Sequence, residues 1–306
     1  MLIRVLGSAA GGGFPQWNCG CPNCRGVREG TVAASPRTQE SVAVSADGDD
    51  WFLLNVSPDV HRQIEAFPRL HPRGSRHSPI RGILLNNGDL DHCLGLLLLR
   101  EFYPLAIYAT DQVRRGFTED NVLYHTLERF PGQATWHGLK LGREEELLGD
   151  GGRPSGLSVE AVPAPGKLPV HLEKRAAADP EQNVGFRIRD HRRGGTLAYF
   201  PAVGRVTAEV RQALDGADCA FLDGTFWSDD ELPALKLVDK RAEDMAHLPV
   251  SGETGSLAVL AGLSAPRRIL IHINNTNPLL REDSPQRRAV AAAGWEVAHD
   301  GMEIAL

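Results

Sequence analysis

Apolar and polar positions alternate over short stretches through most of the chain. Strands are predicted at Leu2–Leu6, Ser41–Val44, Trp51–Asn55, Gly82–Leu85, Ala106–Tyr108, Leu157–Val162, Val184–Ile188, Thr196–Phe200, Cys219–Leu222, Arg268–Ile273, Trp295–Ala298 and Met302–Ala305. Most mix β-branched or aromatic residues between Gly, Asp or Asn boundaries. Helical spacing appears at His92–Phe102, Asp111–Gly116, Thr207–Leu214, Thr254–Leu263 and Gln286–Ala293. A further helix is expected to about Phe67, with Ser57 as its N-cap and Pro58 at its first position. Early strands come in pairs and later ones alternate with helices, which predicts a layered α/β protein with two sheets inside and helices outside. The polar segment Lys174–Asn183 reads as a surface loop rather than a linker, so residues 1–306 are expected to form one domain.

Composition narrows the functions. The 306 residues carry a net charge of −6, with 42% hydrophobic and 24% charged residues. There is no basic excess to neutralise phosphates, which argues against a nucleic-acid or membrane-surface binder. The N-terminus lacks the apolar length of a secretory signal, and no run reaches the ~18–20 apolar residues of a membrane span, so the cytoplasm is the expected compartment.

Of five cysteines, Cys19, Cys21 and Cys24 lie within six residues on a Gly/Pro/Asn turn. In a reducing compartment that spacing predicts a structural Zn(2+) site, because thiolates bind zinc tightly. Cys93 and Cys219 sit in apolar surroundings and are expected to be small buried residues. A second cluster, Asn87-Gly88-Asp89-Leu90-Asp91-His92, follows a predicted strand, where α/β folds place their sites. From such a turn Asp91 and His92 can reach one cation, and Asp89 is a ligand or a base. A helix N-cap explains one Asp there but not the whole run. Asp223, His272 and His247 are ambiguous when taken singly. The Gly-rich Gly7–Gly13 has no P-loop ending, and close backbone approach to a site is its better reading.

Taken in order, Asn87-x-Asp89-x-Asp91-His92, Asp223 and His272 resemble the metallo-β-lactamase superfamily, which implies an αββα sandwich with metals at one edge of two sheets. That family's hallmark is His-x-His-x-Asp-His, a later His, a bridging Asp and a final His. Here Asn87 and Asp89 replace the two early His, and Pro163–Lys167 offers no third. The resemblance therefore implies one stripped metal site and one retained on Asp91, His92, Asp223 and His272. A two-metal hydrolase needs both ions. Two His with a carboxylate is instead the ligand chemistry of non-haem Fe(II) oxygenases.

The strings Gly7–Gly13, Pro15–Cys19, Pro36–Gln39, Gly88–His92, Asp223–Thr225 and His272–Pro278 together resemble the B-protein family of pyrroloquinoline quinone (PQQ) biosynthesis. This resemblance implies a cytoplasmic protein that is either an Fe(2+)-dependent hydroxylase of a tyrosine-containing, peptide-derived precursor or a carrier of PQQ or its precursor. A one-metal hydrolase is the least favoured reading. Other PQQ-biosynthesis proteins are implied as partners, and the oligomeric state, a homodimer included, stays open. Asp89 is expected to accept a proton, and His247, which matches a catalytic His of nuclease-like relatives, to act as acid/base or contact substrate. Arg37 and Lys167 are expected to pair with precursor carboxylates. Resemblance to phosphodiesterases of the superfamily implies Asn275, three residues after the final His, as the fourth zinc ligand.

Overall fold

A computed structural model describes residues 1–173, 175 and 177–306. Lys174 and Ala176, in the segment read as a surface loop, lie outside the described residues. The strands are β1 (Leu2–Gly7), β2 (Ser41–Ser45), β3 (Trp51–Leu54), β4 (Ile80–Leu84), β5 (Leu105–Thr110), β6 (Ala134–Leu139), β7 (Glu144–Leu148), β8 (Pro154–Pro163), β9 (Val184–Asp190), β10 (Thr196–Phe200), β11 (Cys219–Asp223), β12 (Arg267–Ile271), β13 (Glu296–Val297) and β14 (Glu303–Ala305). The α-helical segments are α1 (Pro22–Glu29), α2 (Val60–Glu65), α3 (Leu90–Cys93), α4 (Gly95–Leu98), α5 (Asp111–Thr118), α6 (Ala208–Asp215), α7 (Glu231–Ala234), α8 (Ser256–Val259) and α9 (Pro285–Ala292).

Two seven-stranded sheets form, in the orders β14-β1-β2-β3-β4-β5-β6 and β13-β12-β11-β10-β9-β8-β7. Each begins antiparallel in chain order and turns parallel, at β3–β4 in the first sheet and β10–β11 in the second. Alternation builds the layers. On β3, Phe52 and Leu54 enter the core between the sheets, while Trp51 and Leu53 pack outward with Val60 and Val113. On β11, Cys219 and Phe221 point inward, while Ala220 and Leu222 join Val210 and Val290 outside. Helices thus cover both outer faces, giving the αββα sandwich of the metallo-β-lactamase fold.

Several local expectations are corrected. β6 and β7 had no predicted counterpart. Three consecutive Glu hide β7, which lies at a sheet edge where charged residues are tolerated. The first predicted helix starts at Val60 rather than at Pro58, because the Ser57 hydroxyl accepts from Asp59 N in a tight turn. The expected helix at His92–Phe102 is two short turns, α3 and α4. Gly95 presses so closely on the Ser57 carbonyl that a Cβ would lie 2.4 Å from it. The stretch at Thr254–Leu263 is helical only over α8. The Cys-rich turn continues into α1, with Cys21 as its N-cap.

Candidate metal centres

The parallel strands β4, β11 and β12 end at one rim, and their C-terminal loops carry the acidic and imidazole side chains. Asp223 closes β11 on its inward face. By alternation His272 would follow Leu270 outward, but its backbone leaves β12 in the left-handed region at φ 61° and its side chain lines the cleft. Such a conformation costs about 1–3 kcal/mol and persists where surrounding structure enforces it. Here Ile273 N bonds Ser8 O and Asn274 N bonds Thr225 O, which pin the turn from both sides. The cleft encloses about 220 Å³ and is bordered by Asp89, Asp91, His92, Lys167, His247 and His272, among others. Gly11 approaches closely, and a Cβ there would lie 3.2 Å from Asp91 Oδ2.

Asp91 Oδ2 stands 3.6 Å from His92 Nε2 and 3.2 Å from His272 Nε2. The outer nitrogen of each imidazole is held. His92 Nδ1 is 2.7 Å from Asn86 Oδ1, which can only accept, so His92 carries its proton on Nδ1 and presents the Nε2 lone pair. That buried Nε2 has no hydrogen-bond partner among the described residues. Thr225 Oγ1 donates to Asp223 Oδ1 at 2.6 Å and therefore accepts from His272 Nδ1 at 2.7 Å. His247 Nδ1 donates to Asp223 Oδ2 at 2.7 Å, and its ring stacks on His272 at 5.4 Å. Such outer partners fix the tautomer and aim of metal-ligating histidines.

The charges agree with this geometry. Burial lowers the His92 pKa to about 4 despite Asp91, which keeps its Nε2 free. Burial also pulls His272 down, but its bond to Asp91 and the charges of Asp91 and Asp223 prevail and hold it at about 9. The Asp91 carboxyl stays well below the usual range, since His92 and His272 outweigh its burial. A carboxylate between two imidazoles is a seat for one positive charge, proton or metal. The orphaned Nε2 and the one-carboxylate, two-imidazole donor set fit a divalent transition metal.

The four-residue ligand set expected from the sequence divides. Asp91, His92 and His272 form one group, and Asp223, His247 and His272 another, each with donor atoms within 4.8 Å of one another. Asp223 stays with the second group because Thr225, Val203 N and His247 already occupy its two oxygens. His247, expected as acid/base, is thus also a member of a metal-capable cluster. Asp89 borders the cleft outside both groups, and burial next to Asp91 raises its pKa. Lys167 lies in the cleft wall. Arg37 does not border it. Its guanidinium is buried, donating to the Ala298 carbonyl at 2.5 Å and to Ser8 Oγ, so the substrate role expected of it is overturned. Asn86 and Thr225 were missed as orienting residues. Only proximity to Asn87 and the Asp-Gly-Thr string pointed to them.

Beneath the cleft lies a buried polar network. Asn55 Oδ1 accepts from Asn86 N at 3.1 Å, and Asn55 Nδ2 donates to Glu40 Oε2 at 2.9 Å and to the Tyr199 hydroxyl at 3.1 Å. Tyr199 in turn donates to Glu40. Burial raises Glu40 to about 7, even though Tyr199 and Asn55 donate to it.

The three clustered cysteines bring their sulfurs within 4.8 Å of one another. Cys21 Sγ accepts from Cys24 N at 3.5 Å and Cys19 Sγ from Cys21 N at 3.4 Å. Burial, with Cys24 adjacent, lifts the Cys21 thiol to about 12, whereas at Cys19 burial is outweighed by hydrogen bonds, chiefly from Cys21, that lower the thiol. A bound cation favours the thiolate form. Asn275 Nδ2 lies 3.3 Å from Cys24 Sγ, and a half-turn of its amide brings Oδ1 to the same place. The donor set fits a closed zinc site. Cys93 and Cys219 are buried and belong to none of these groups, although Cys93 directly follows His92.

Residues 50–273 match the family model of the beta-lactamase superfamily domain. Coenzyme PQQ synthesis protein B of Azotobacter vinelandii is 46% identical over the full length of both chains. The crystal structure of Zn(2+)-bound PqqB from Methylobacterium extorquens superposes with a TM-score of 0.93 at 43% identity, covering 100% of each chain. A diphosphatase from the PhnP family, at 21% identity and a TM-score of 0.66 over 99% of this chain and 96% of that one, shares the fold. On sequence, fold and geometry together, the chain belongs to the coenzyme PQQ synthesis protein B family of the metallo-β-lactamase superfamily.

Proposed function

We propose that this chain acts in PQQ synthesis as an Fe(2+)-dependent oxygenase that hydroxylates the ring of a tyrosine-containing, peptide-derived precursor. The observation that carries this reading is the two-imidazole, one-carboxylate group Asp91/His92/His272 with its unpartnered His92 Nε2, beside positions that lack the two early imidazoles of a two-metal hydrolase. Asn87 and Asp89 stand in their place, and Asn87 is bonded to Asn183. Iron, when bound, supplies the O₂ chemistry that amino-acid side chains lack.

The chain's own residues supply placement and proton handling. Asp91, His92 and His272 would hold the ion, with Asn86 and Thr225 fixing the two rings. The cleft of about 220 Å³ suits an aromatic ring. Asp89, with its raised pKa, is suited to take a proton from a phenol or an aryl carbon. His247 bonds Asp223 through Nδ1, which leaves Nε2 to exchange a proton with the substrate. Cys19, Cys21, Cys24 and Asn275 would hold a structural Zn(2+) apart from the chemistry.

The test is turnover of a tyrosine-containing precursor peptide by iron-loaded protein under ¹⁸O₂ with a two-electron reductant. The expected result is one labelled oxygen in the ring, lost in His272→Ala. Label taken from water would make the protein a hydrolase. Reversible quinone binding without O₂ uptake would make it a carrier.

A further inference from the structure

The metal cleft is small for a peptide substrate. At about 220 Å³ it falls below the ~300–1,000 Å³ of ordinary small-molecule sites. A second cavity adjoins it. Gly166, Lys167 and Asn183 border both this cleft and that cavity, which encloses about 510 Å³.

The partition between the two cavities is rigid. Asn183 Oδ1 accepts from Asn87 Nδ2 at 3.0 Å, and Asn183 Nδ2 donates to the carbonyls of Ala164 and Ala202, each at 3.0 Å. One amide thereby ties together the loops after β4, β8 and β10. Gly166 packs on that amide so tightly that a Cβ would lie 2.6 Å from Asn183 Nδ2. Gly204 N bonds Pro165 O at 2.7 Å, which fixes the loop carrying Arg205 against the loop carrying Lys167.

The second cavity has an apolar wall that includes Pro163, Pro165, Leu168 and Pro180. Among the described residues two cations border it, Lys167 at the junction and Arg205 farther along the chain. Neither forms an ion pair or a side-chain hydrogen bond among the described residues, although the chain is rich in Arg–carboxylate pairs elsewhere. Asp179 and Glu209 also border the cavity. Asp179 Oδ1 is engaged by Glu181 N, and Glu209 by its own backbone N–H and Thr207. Lys167 also faces the Asp89 carboxylate across the cleft, which leaves Arg205 as the cation with no carboxylate paired to it. A largely apolar cavity that adjoins the cleft and carries a cation at each end suits an extended ligand that bears carboxylates.

We propose that the second cavity is a subsite for an acidic arm of the substrate, with Lys167 and Arg205 as its carboxylate-recognising residues. The inference rests on the reading that the cleft holds the tyrosine ring. The arm leaves the ring at Gly166, runs along the proline-lined wall and ends on Arg205. Specificity then comes from a region that touches no reacting atom.

Zinc-loaded protein allows binding to be read without turnover. The probes are glutamyl-tyrosine and its carboxylate-free isostere glutaminyl-tyrosinamide, which keeps the same N-terminal ammonium, compared by calorimetry. The dipeptide should bind about tenfold tighter than the isostere, a preference that shrinks as salt is raised. Arg205→Glu should abolish the preference, Lys167→Met should reduce it, and Arg205→Lys should recover most of it. Arg205 is exposed, so the fold is not at risk, and thermal melting checks this. Equal binding of the two probes, an unchanged preference in Arg205→Glu, or no dipeptide binding at millimolar concentration would each overturn the subsite. If the preference holds while no ¹⁸O enters the ring, the subsite belongs to a carrier. If the label enters without any preference, the oxygenase stands and the subsite falls.

Discussion

Two metal-capable clusters hang from one turn of this protein and differ in almost every property. His272 and Asn275 lie three residues apart after β12, yet the left-handed backbone at His272 sends one into the cleft, while the other sits on the thiols. The cysteine cluster is built of sulfur, is mostly buried and is closed over by α1 and Asn275. The cleft cluster is built of oxygen and nitrogen, and a cavity opens above it. A closed thiolate set holds its ion for stability, whereas an open carboxylate–imidazole set leaves positions for ligands. Local donor chemistry and access, rather than mere ability to bind a metal, separate scaffold from site.

Breaking one cluster should leave the other intact, and the largest effect is expected in the cleft. His92→Ala removes the nitrogen with no competing partner. Cleft-metal affinity should fall by more than the ~10–100-fold typical of outer-shell losses, and precursor turnover should disappear. Metal analysis should still find the cysteine-bound zinc. Loss of both metals would show that the two clusters are not independent.

The converse variant, Cys19, Cys21 and Cys24 all to Ser, should lose zinc and several kcal/mol of stability, because structural zinc binding is coupled to folding. Denaturant melts with zinc quantification test this, and unchanged stability would deny the cluster its structural role. At a temperature where the variant stays folded, the cleft should still bind its metal.

The smallest effect sharpens the comparison from below the cleft. Glu40 titrates near 7 in the folded protein against 4.5 for its ordinary value, so its ionisation disfavours the fold. Its contribution is constant below about pH 4.5 and becomes unfavourable as pH rises to 7, by about 3 kcal/mol in all. The stability of Glu40→Gln relative to the parent, measured on metal-free protein, should therefore climb across that window and level off above it. A pH-independent difference would mean that Glu40 is already ionised in the fold.

The strand pattern was readable where β-branched residues stand between turn residues, as in Thr196–Phe200. It was unreadable in β7, where charge masks an edge strand. In the cleft, Asp91 and His92 stood out by the polar run they share, whereas Asp223 and His272 were ambiguous singly and were singled out only because the order of all four resembles the metallo-β-lactamase pattern. The division of Asp223 from Asp91 was not legible, since it depends on which hydrogen bonds a folded carboxylate has already made. Arg37 misled for the same reason, because an arginine's charge is visible in a sequence but its burial against Ala298 is not.

By itself, the sequence determined the layered α/β class, the thiol cluster within six residues, and the kinds of donor available at each strand end, because these follow from local periodicity and side-chain chemistry. Only the tertiary structure decided which donors meet. Asp91 and His272 are 181 positions apart and touch at 3.2 Å. Asn87 and Asn183 close the cleft wall across 96 positions. Such contacts arise when two sheets pack with their parallel strand ends at one rim, a geometry set by many weak packing contacts that no short stretch of chain encodes.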